Sequence, residues 1–480
     1  MSAFGTVPTN EAQQSKIKVL IVGAGICGLM TAIQLERAGI EYEVFEKSKT
    51  CVPLGSALSL TASCSYIFEQ LGMLDEIREI SLPLEKIDYF QEDLSLIGVM
   101  GANNQKERYG YNGIMFSRPA FHNYLLSKVP AEKVHFGKRV LSLEQNQNGV
   151  MIRIADGTTY HGDILIGAGK AKTIVFISDG AYSAVRQALY KSMIKKGIDI
   201  PKSDMAPLHF DSNCVVGITE VQSEEDYPCL KEKGGSFHCV VGKERSIQVY
   251  VFMFSDNRMG WMICGKMENP EDHDEINFKF SDWGPVAADE LCEQVRHFKI
   301  PFGGTVGDLM DRTSKERISK VMLEDKYFHT WWHLRTVLMG DACHKHLPFG
   351  GQGANQAILD SVHLVNQLYG IPSNSVEDIA KSFQAYYNYR STNARKVFSS
   401  TGMVANILNN RGFGSDFMRS LVLSKMPDWM NNIAIDGMNT DRPVLCFLPA
   451  PNVQAKIKPN PQAIPVHYRK PVDAEEATTI

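Results

Sequence analysis

The run KIKVLIVGAGICGLMTAIQLERAGIEYEVFEK, residues 16–47, leaves few folds open. Its first part is a β-branched apolar strand, its second carries apolar residues at helical spacing and stops at Gly39, and EYEVFEK reads as a second short strand. A strand, a glycine turn, a helix and a strand in that order make a β-α-β unit, which implies a parallel sheet. The turn is Gly23-Ala24-Gly25-Ile26-Cys27-Gly28. Gly23 permits the tight turn, Gly25 lets a pyrophosphate approach the backbone, and Gly28 lets the helix pack close to the strand. The exposed N–H groups at the helix start attract phosphate. Glu46 ends the second strand, eighteen residues after Gly28, where a carboxylate can accept hydrogen bonds from an adenosine ribose. The unit is therefore expected to hold a dinucleotide; the pattern alone does not separate FAD from NAD. The uncharged stretch Val19–Gln34 holds three glycines and falls short of the roughly 20 apolar residues of a membrane span, so strand–turn–helix is the better reading.

A chain of 480 residues suits two or three domains. A net charge of −4 gives no electrostatic case for nucleic acid or an anionic membrane surface. The 10 cysteines contain no C-x-x-C pair and no even framework, so neither a disulfide scaffold nor a zinc site is expected. Cys27 and Cys343 read as small buried fillers. The first fifteen residues lack a basic stretch followed by an apolar one, so no secretory signal is expected and a reducing, cytoplasmic setting fits.

Further along, RPAFHNYLLSKV reads as a helix, KVHFGKRVLSL as a strand, and GVMIRIADGTTYHGDILIGA as a hairpin around ADGT leading into a buried strand. Residues 205–265 hold several strands of a different module, and RTVLMGDA returns to a buried strand before the long helix NQAILDSVHLVNQLY. Residues 17–80, 111–204 and 330–400 are expected to form one discontinuous nucleotide-binding domain, and 81–110 with 205–329 a second, substrate domain. Residues 1–16 are expected to be disordered, 401–448 helical, and 449–480 an extended tail, with six prolines between 449 and 471.

A second glycine-rich motif, GDACHKHLPFGGQGANQAILD, spans Gly340 to Asp360. Gly340-Asp341 ends a strand, Pro348 stiffens the loop, and Gly350, Gly351 and Gly353 precede the long helix. This arrangement resembles the third FAD fingerprint of single-component flavin monooxygenases with the p-hydroxybenzoate hydroxylase fold, and the resemblance extends over most of residues 17–400. ISKVMLEDKYFHTWWHLRTVLMGDACHK resembles fungal-type members most specifically. The resemblance implies a glutathione-reductase-like α/β FAD domain with a Rossmann core, an inserted, mostly antiparallel substrate sheet and a helical C-terminal segment. It implies that Asp341 binds the ribityl chain and that Gly351, Gly353 and Ala354 place backbone N–H groups at the flavin's pyrimidine edge, beside Pro348. It further implies FAD contacts from Glu46, Lys47 and Arg118, from Gly55 and Ala57 in PLGSALSL, and from Val140 at the adenine. Gly55-Ser56-Ala57 departs from the usual Gly-x-Gly there.

The middle fingerprint is interrupted. LIGA ends at Ala168 and DGAYSAVR starts at Asp179, with ten residues, Gly169 to Ser178, between them. The resemblance gives Asp179 and Arg186 roles in shaping the pyrophosphate region and the route for NAD(P)H. The interposed TIVFI is apolar, which a surface loop rarely chooses. An extra loop or hairpin, a displaced strand and a sequence-level error all remain open, the first favoured because closure entropy rises slowly with loop length.

The implied function is a monooxygenase in which NAD(P)H reduces FAD, O2 adds at flavin C4a, and oxygen passes to a small organic substrate by aromatic hydroxylation or alkene epoxidation. Two alternatives stand beside it: an FAD-binding protein disabled by the insertion, and a flavin oxidoreductase or halogenase on the same fold. Asn213, before Cys214-Val215-Val216-Gly217, stands where some relatives carry a basic residue, so no catalytic acid or base is carried over. His344-Lys345-His346 invites a metal reading, but no carboxylate or cysteine cluster is expected to complete a site, and loop polarity is the expectation. The segment 417–435 is amphipathic and could rest weakly on a membrane surface, although packing on protein is preferred. Glu271 to Glu275 reads as a solvated acidic loop.

Overall fold

Val19, Leu20 and Ile21 are completely buried in a strand, Lys18–Val22, that is flanked on both sides by parallel neighbours. Burial on both faces is what makes that stretch read as a continuous apolar run. The structure is a computed structural model that describes residues 17–50, 57–84, 86–101, 104–169, 183–206, 210–231, 234–242, 247–266, 285–347, 350–409 and 428–467. Its central sheet has six strands in the order 332–333, 336–338, 164–167, 18–22, 41–45, 134–135. All its pairings are parallel except the hairpin at 332–337. The apolar runs around residues 20, 165 and 337 thus become neighbours, although they are far apart in sequence.

The first helix, Ile26–Arg37, buries every residue from Ile26 to Leu35. It lies between the central sheet and the helix Gln352–Leu368, called the loop helix below, whose residues from Asn355 to Leu368 are likewise all buried. Gln34 Nε2 donates to Ser361 Oγ at 2.8 Å across that contact. Leu29, Met30, Ile33 and Leu35 each contribute about 1.5–3 kcal/mol by leaving water. Gly39 closes the helix with φ +66, a left-handed position that glycine takes without strain.

The hairpin expected around ADGT is present, pairing Val150–Ile154 with Thr159–Gly162, and Val140–Gln145 joins it as a third strand. A small antiparallel sheet sets Gly113–Ser117 between Ala57–Leu60 and Leu82–Leu84. The continuous strand expected at 133–143 is instead split into Val134–His135 and Val140–Gln145, with Gly137 at φ +71 between them.

A second large sheet has seven strands in the order 318–324, 210–218, 259–266, 247–253, 237–241, 86–91, 96–101. Its pairs are antiparallel except 237–241 with 86–91. Alternation sends Val215, Val249 and Trp261 to one face, beneath the helices Pro285–Glu293 and Val306–Asp311. Cys214, Tyr250, Phe252 and Cys264 go to the other face, where they pack in one cluster with Ala57, Met115 and Leu347.

The long helix Val376–Asn409 packs on the loop helix, and Asp428–Asn439 forms a C-terminal helix. Residues 440–467 carry no regular structure, yet they are tied to the body. Arg442 donates to the carbonyl of Tyr109 at 2.6 Å, the Leu445 amide to Gln70 at 2.8 Å, and the Val466 amide to Gln367 at 3.0 Å. The proline-rich stretch is thus strapped down as far as residue 467. Residues 1–16, 468–480, 271–275 and 417–427 lie outside the described residues. Among the described residues, no helix is long and apolar enough to cross a membrane.

Candidate nucleotide-binding site

The first glycine loop is built on close approach. Gly23 has φ +112, and a Cβ there would stand 2.5 Å from the Cα of Gly169. A Cβ on Gly28 would stand 1.9 Å from the carbonyl oxygen of Gly23. Gly25 is different: no atom lies within 4 Å of where its Cβ would be. It is the N-cap of the first helix, with no side-chain cap, so the first-turn N–H groups face open space. Glu46 follows the second strand and is half-buried, with Lys47 half-buried beside it. Its Oε2 accepts the amide of Ala24 at 3.0 Å and its Oε1 that of Ser48 at 3.0 Å. The carboxylate thus holds the turn in shape and keeps further lone pairs for a ribose. The chain before Val140 runs alongside, with the Lys138 amide donating to the Glu46 carbonyl at 2.8 Å, and Val140 itself is buried.

Arg118 opens the helix Arg118–Ser127 with its side chain exposed. One turn on, His122 is buried and its Nε2 lies 2.6 Å from the Ala24 carbonyl oxygen. The i,i+4 spacing turns Arg118 toward the same loop. His122 escaped the sequence reading; the signal available was a histidine one turn from a candidate arginine.

The second glycine motif closes over this loop. Gly340, at φ +56, packs against Cys27 and Ala357, and Cys27 Sγ lies 3.7 Å from the Ala357 carbonyl. Cys27 and Cys343 are buried, and burial pushes both thiols well above the ordinary value, so they act as fillers. Asp341 is half-buried on the turn Gly340–Ala342, and its carboxylate has no hydrogen-bond partner among the described residues. Gly351, at φ +60, starts the loop helix without a side-chain cap, and a Cβ there would stand 2.6 Å from Ser59 Oγ. Gly353 has nothing within 4 Å of its Cβ position, and Ala354 is half-buried after it. Asn355 fixes the separation of the two walls. Its Oδ1 accepts the Thr61 amide at 2.8 Å, and its Nδ2 donates to the carbonyls of Ser59 at 3.1 Å and Gly351 at 2.7 Å. Ala57 lies on the Ser59 wall. Gly55, Asp179 and Pro348 lie outside the described residues.

Three expectations need correction. Gly169, counted as the first inserted residue, is packed on Gly23 and belongs to the site; the interruption begins after it. Arg186 is 3 % exposed, donates to the Ala342 carbonyl at 2.5 Å and stacks 3.7 Å over the Phe328 ring. Burial lowers its pKa to about 10, so it stays charged and supports the Asp341 turn from behind instead of facing a ligand. His344 and Lys345 are buried in a two-residue strand paired with Lys326–Tyr327, not in a polar loop. Folding also brings Cys343, His344 and Asp360 ligand atoms within 4.8 Å of one another, which sequence spacing did not show. Asp360 is already bound, however, by His344 at 2.7 Å and by Arg390 at 2.8 Å. A guanidinium on that carboxylate opposes a second cation, and the donor set reads as a charge network.

The family model described as FAD binding domain matches residues 16–269 and 305–397. The chain belongs to this family. It is a flavoprotein oxidoreductase of the monooxygenase type, with FAD as its cofactor. The flavoprotein is 25% identical over 456 residues to the FAD-dependent monooxygenase atmM of Aspergillus flavus, covering 92% of this chain and 88% of the relative. It is 29% identical over 359 residues to the FAD-dependent monooxygenase paxM of Penicillium paxilli, covering 74% and 70%. Among solved structures, Klebsiella pneumoniae HpxO complexed with FAD and uric acid superposes with TM-score 0.69 at 21% identity, covering 90% of this chain and 98% of that one. A salicylate hydroxylase substrate complex superposes at 0.59 with 19% identity, covering 88% and 97%. These likenesses show the fold.

The flavoprotein's own residues fit that cofactor. Uncapped helix starts at Gly25 and Gly351 would offer donors to a pyrophosphate and to a flavin carbonyl edge. The space at Gly25 and Gly353 admits close approach, and the unpartnered Asp341 carboxylate suits ribityl hydroxyls.

Proposed function

We propose that this flavoprotein uses NAD(P)H and O2 to hydroxylate or epoxidise a small, largely hydrocarbon substrate held beneath the seven-stranded sheet. The observation that carries this reading is the apolar cluster joining that sheet to both flavin walls, through Ala57 on one and Leu347 on the other. Bound FAD supplies the redox and oxygen-transfer chemistry. The chain supplies position and dryness. Gly351, Gly353 and the loop-helix dipole favour negative charge at the flavin edge. Phe252, Tyr250 and Leu323 exclude water from the space above it.

Among the residues of that sheet whose burial is described, no Asp, Glu, Lys or Arg is buried, which favours a neutral substrate. Tyr250 and Gln248 are buried polar groups on that sheet, the hydroxyl donating to Gln248 Oε1 at 3.4 Å, and burial raises the Tyr250 hydroxyl far above the ordinary value, so it can donate a hydrogen bond but not ionise. Asn213 faces away, on the helix-covered face with Val215, its Oδ1 close to Gly265. Its replacement of a basic residue therefore leaves the substrate face unchanged.

The test is purification with a diode-array spectrum, then NAD(P)H oxidation with candidate aromatic and alkene substrates under labelled O2. A yellow protein that adds one labelled oxygen atom to substrate supports the reading. A colourless protein that takes up no FAD sinks it. Lys170–Ser178 should be deleted in parallel, leaving Gly169 in place, to measure what the interruption does to FAD affinity.

A further inference from the structure

Around the end of the second glycine motif lies a charge cluster that the proposed chemistry does not use. Arg390, on the long helix, is completely buried. Its Nε donates to Asp360 Oδ1 at 2.8 Å, its Nη1 to Asp441 Oδ2 at 3.2 Å, and its Nη2 to Gln356 Oε1 at 2.8 Å. Each partner leads to a different part of the site. The other oxygen of Asp360 accepts the Gly340 amide at 2.9 Å, next to Asp341, and His344 at 2.7 Å. Gln356 reaches Gln352 at 3.4 Å, at the start of the loop helix. Asp441 follows the C-terminal helix, where Asn439 accepts the Ala62 amide at 3.1 Å, just beyond the Ser59 wall. Asp441 also lies beyond the residues matched by the family model, which end at 397.

We propose that Arg390 is a positioning residue for the flavin loop. With one rigid guanidinium it fixes both ends of the Gly340–Gln352 segment and joins them to the C-terminal strap, so docking of the strap and binding of FAD are coupled.

The chemistry favours arginine at this point. One buried and one half-buried carboxylate meet one cation that presents donors in three directions and is not deprotonated in a protein. Burial pushes the Asp360 carboxyl up, but His344 and Arg390 overcome that and hold it below its ordinary value. Lysine would keep the charge while losing the fork, so it would satisfy one partner at a time. Removing Asp441 leaves Arg390 with Asp360 and Gln356 and cuts the link to the strap, together with the contacts Asp441 makes with the Tyr389 hydroxyl at 3.3 Å and His363 at 3.9 Å.

This inference rests on the FAD reading above, and the experiment separates the two. Apoprotein of wild type, Arg390→Met, Arg390→Lys and Asp441→Asn is titrated with FAD well below each melting temperature. The flavin band is recorded together with hydrogen exchange of the peptide containing the Gly340 amide. The expected result is roughly tenfold weaker FAD binding for Asp441→Asn, more for Arg390→Met, partial rescue by Arg390→Lys, and faster exchange at Gly340 in each case. Folded variants with wild-type FAD affinity and wild-type exchange would overturn the proposal while leaving the FAD reading intact. If Arg390→Met does not fold, Asp441→Asn decides. A folded wild type that binds no FAD overturns both.

Discussion

The Nε2 of His122 lies 2.6 Å from the carbonyl oxygen of Ala24, so a helix 98 residues away in sequence holds the nucleotide turn from outside. A carbonyl only accepts, so this nitrogen carries the proton, and burial keeps the ring neutral by lowering its pKa. Replacing His122 by Leu strands the Ala24 carbonyl and should cost about 1–3 kcal/mol, with weaker FAD binding. His122→Gln, which can still donate, should recover part of both. Thermal melting and FAD titration of the two variants check this.

The three glycines of the first turn should respond differently to alanine. At Gly28 the new methyl would meet the Gly23 carbonyl, and at Gly23 it would meet Gly169 from a left-handed backbone. Each should lose roughly 1–3 kcal/mol or fail to fold. Gly25→Ala meets nothing in the protein, so it should melt like wild type and lose FAD affinity alone. A Gly25→Ala protein that binds FAD normally would remove the pyrophosphate from that position.

Acid sensitivity should trace in part to His346. Burial, then the neighbouring His344, pushes its pKa down to about 3, against an ordinary 6.5. Below 6.5 the unfolded chain takes a proton that the folded chain refuses. Its contribution is therefore fully present above pH 6.5 and is lost as pH falls from there toward 3. In His346→Gln, the slope of unfolding free energy against pH between 6 and 4 should fall by about one proton. Urea melts at several pH values measure it.

The first β-α-β unit was legible because each feature is local: strand, turn and helix lie within thirty residues, and Gly28 answers to the carbonyl of Gly23 in the same turn. The hairpin at 150–162 was legible for the same reason. His122, Asn355 and Arg390 were not, because each acts across the fold through a polar atom whose partner is a backbone carbonyl or a distant carboxylate. Arg186 misled in the opposite way. Its motif is local, but Phe328 and Ala342, which decide that it points inward, come more than 140 positions later. The metal reading of His344 turned on Asp360 for one half of the answer and on Arg390 for the other.

Arg335 offers a stability test away from the flavin. It is 1 % exposed and donates to the carbonyls of Asn146 at 3.1 Å, Asp163 at 3.0 Å and Asn374 at 2.8 Å, as well as to that of Gln147. It thereby ties the 140–162 hairpin, the central sheet and the turn before the long helix. Arg335→Met leaves four carbonyls without this donor and should destabilise the protein by about 1–3 kcal/mol. In the fraction that folds, the FAD dissociation constant should stay within about twofold of wild type. Denaturant melts and FAD titration together check it.

The order of strands in the central sheet has a consequence for how the protein is made. Lys18–Val22 lies between Glu41–Phe45, which emerges from the ribosome almost at once, and Ile164–Gly167, which follows much later; Thr336–Leu338 extends the sheet only when most of the chain has been synthesised. Until then one edge of a fully apolar strand has no neighbour, and the first helix lacks the loop helix that covers it. Nascent chains halted before residue 340 should therefore engage chaperones and resist release as soluble fragments, whereas chains long enough to present Asp441 should not.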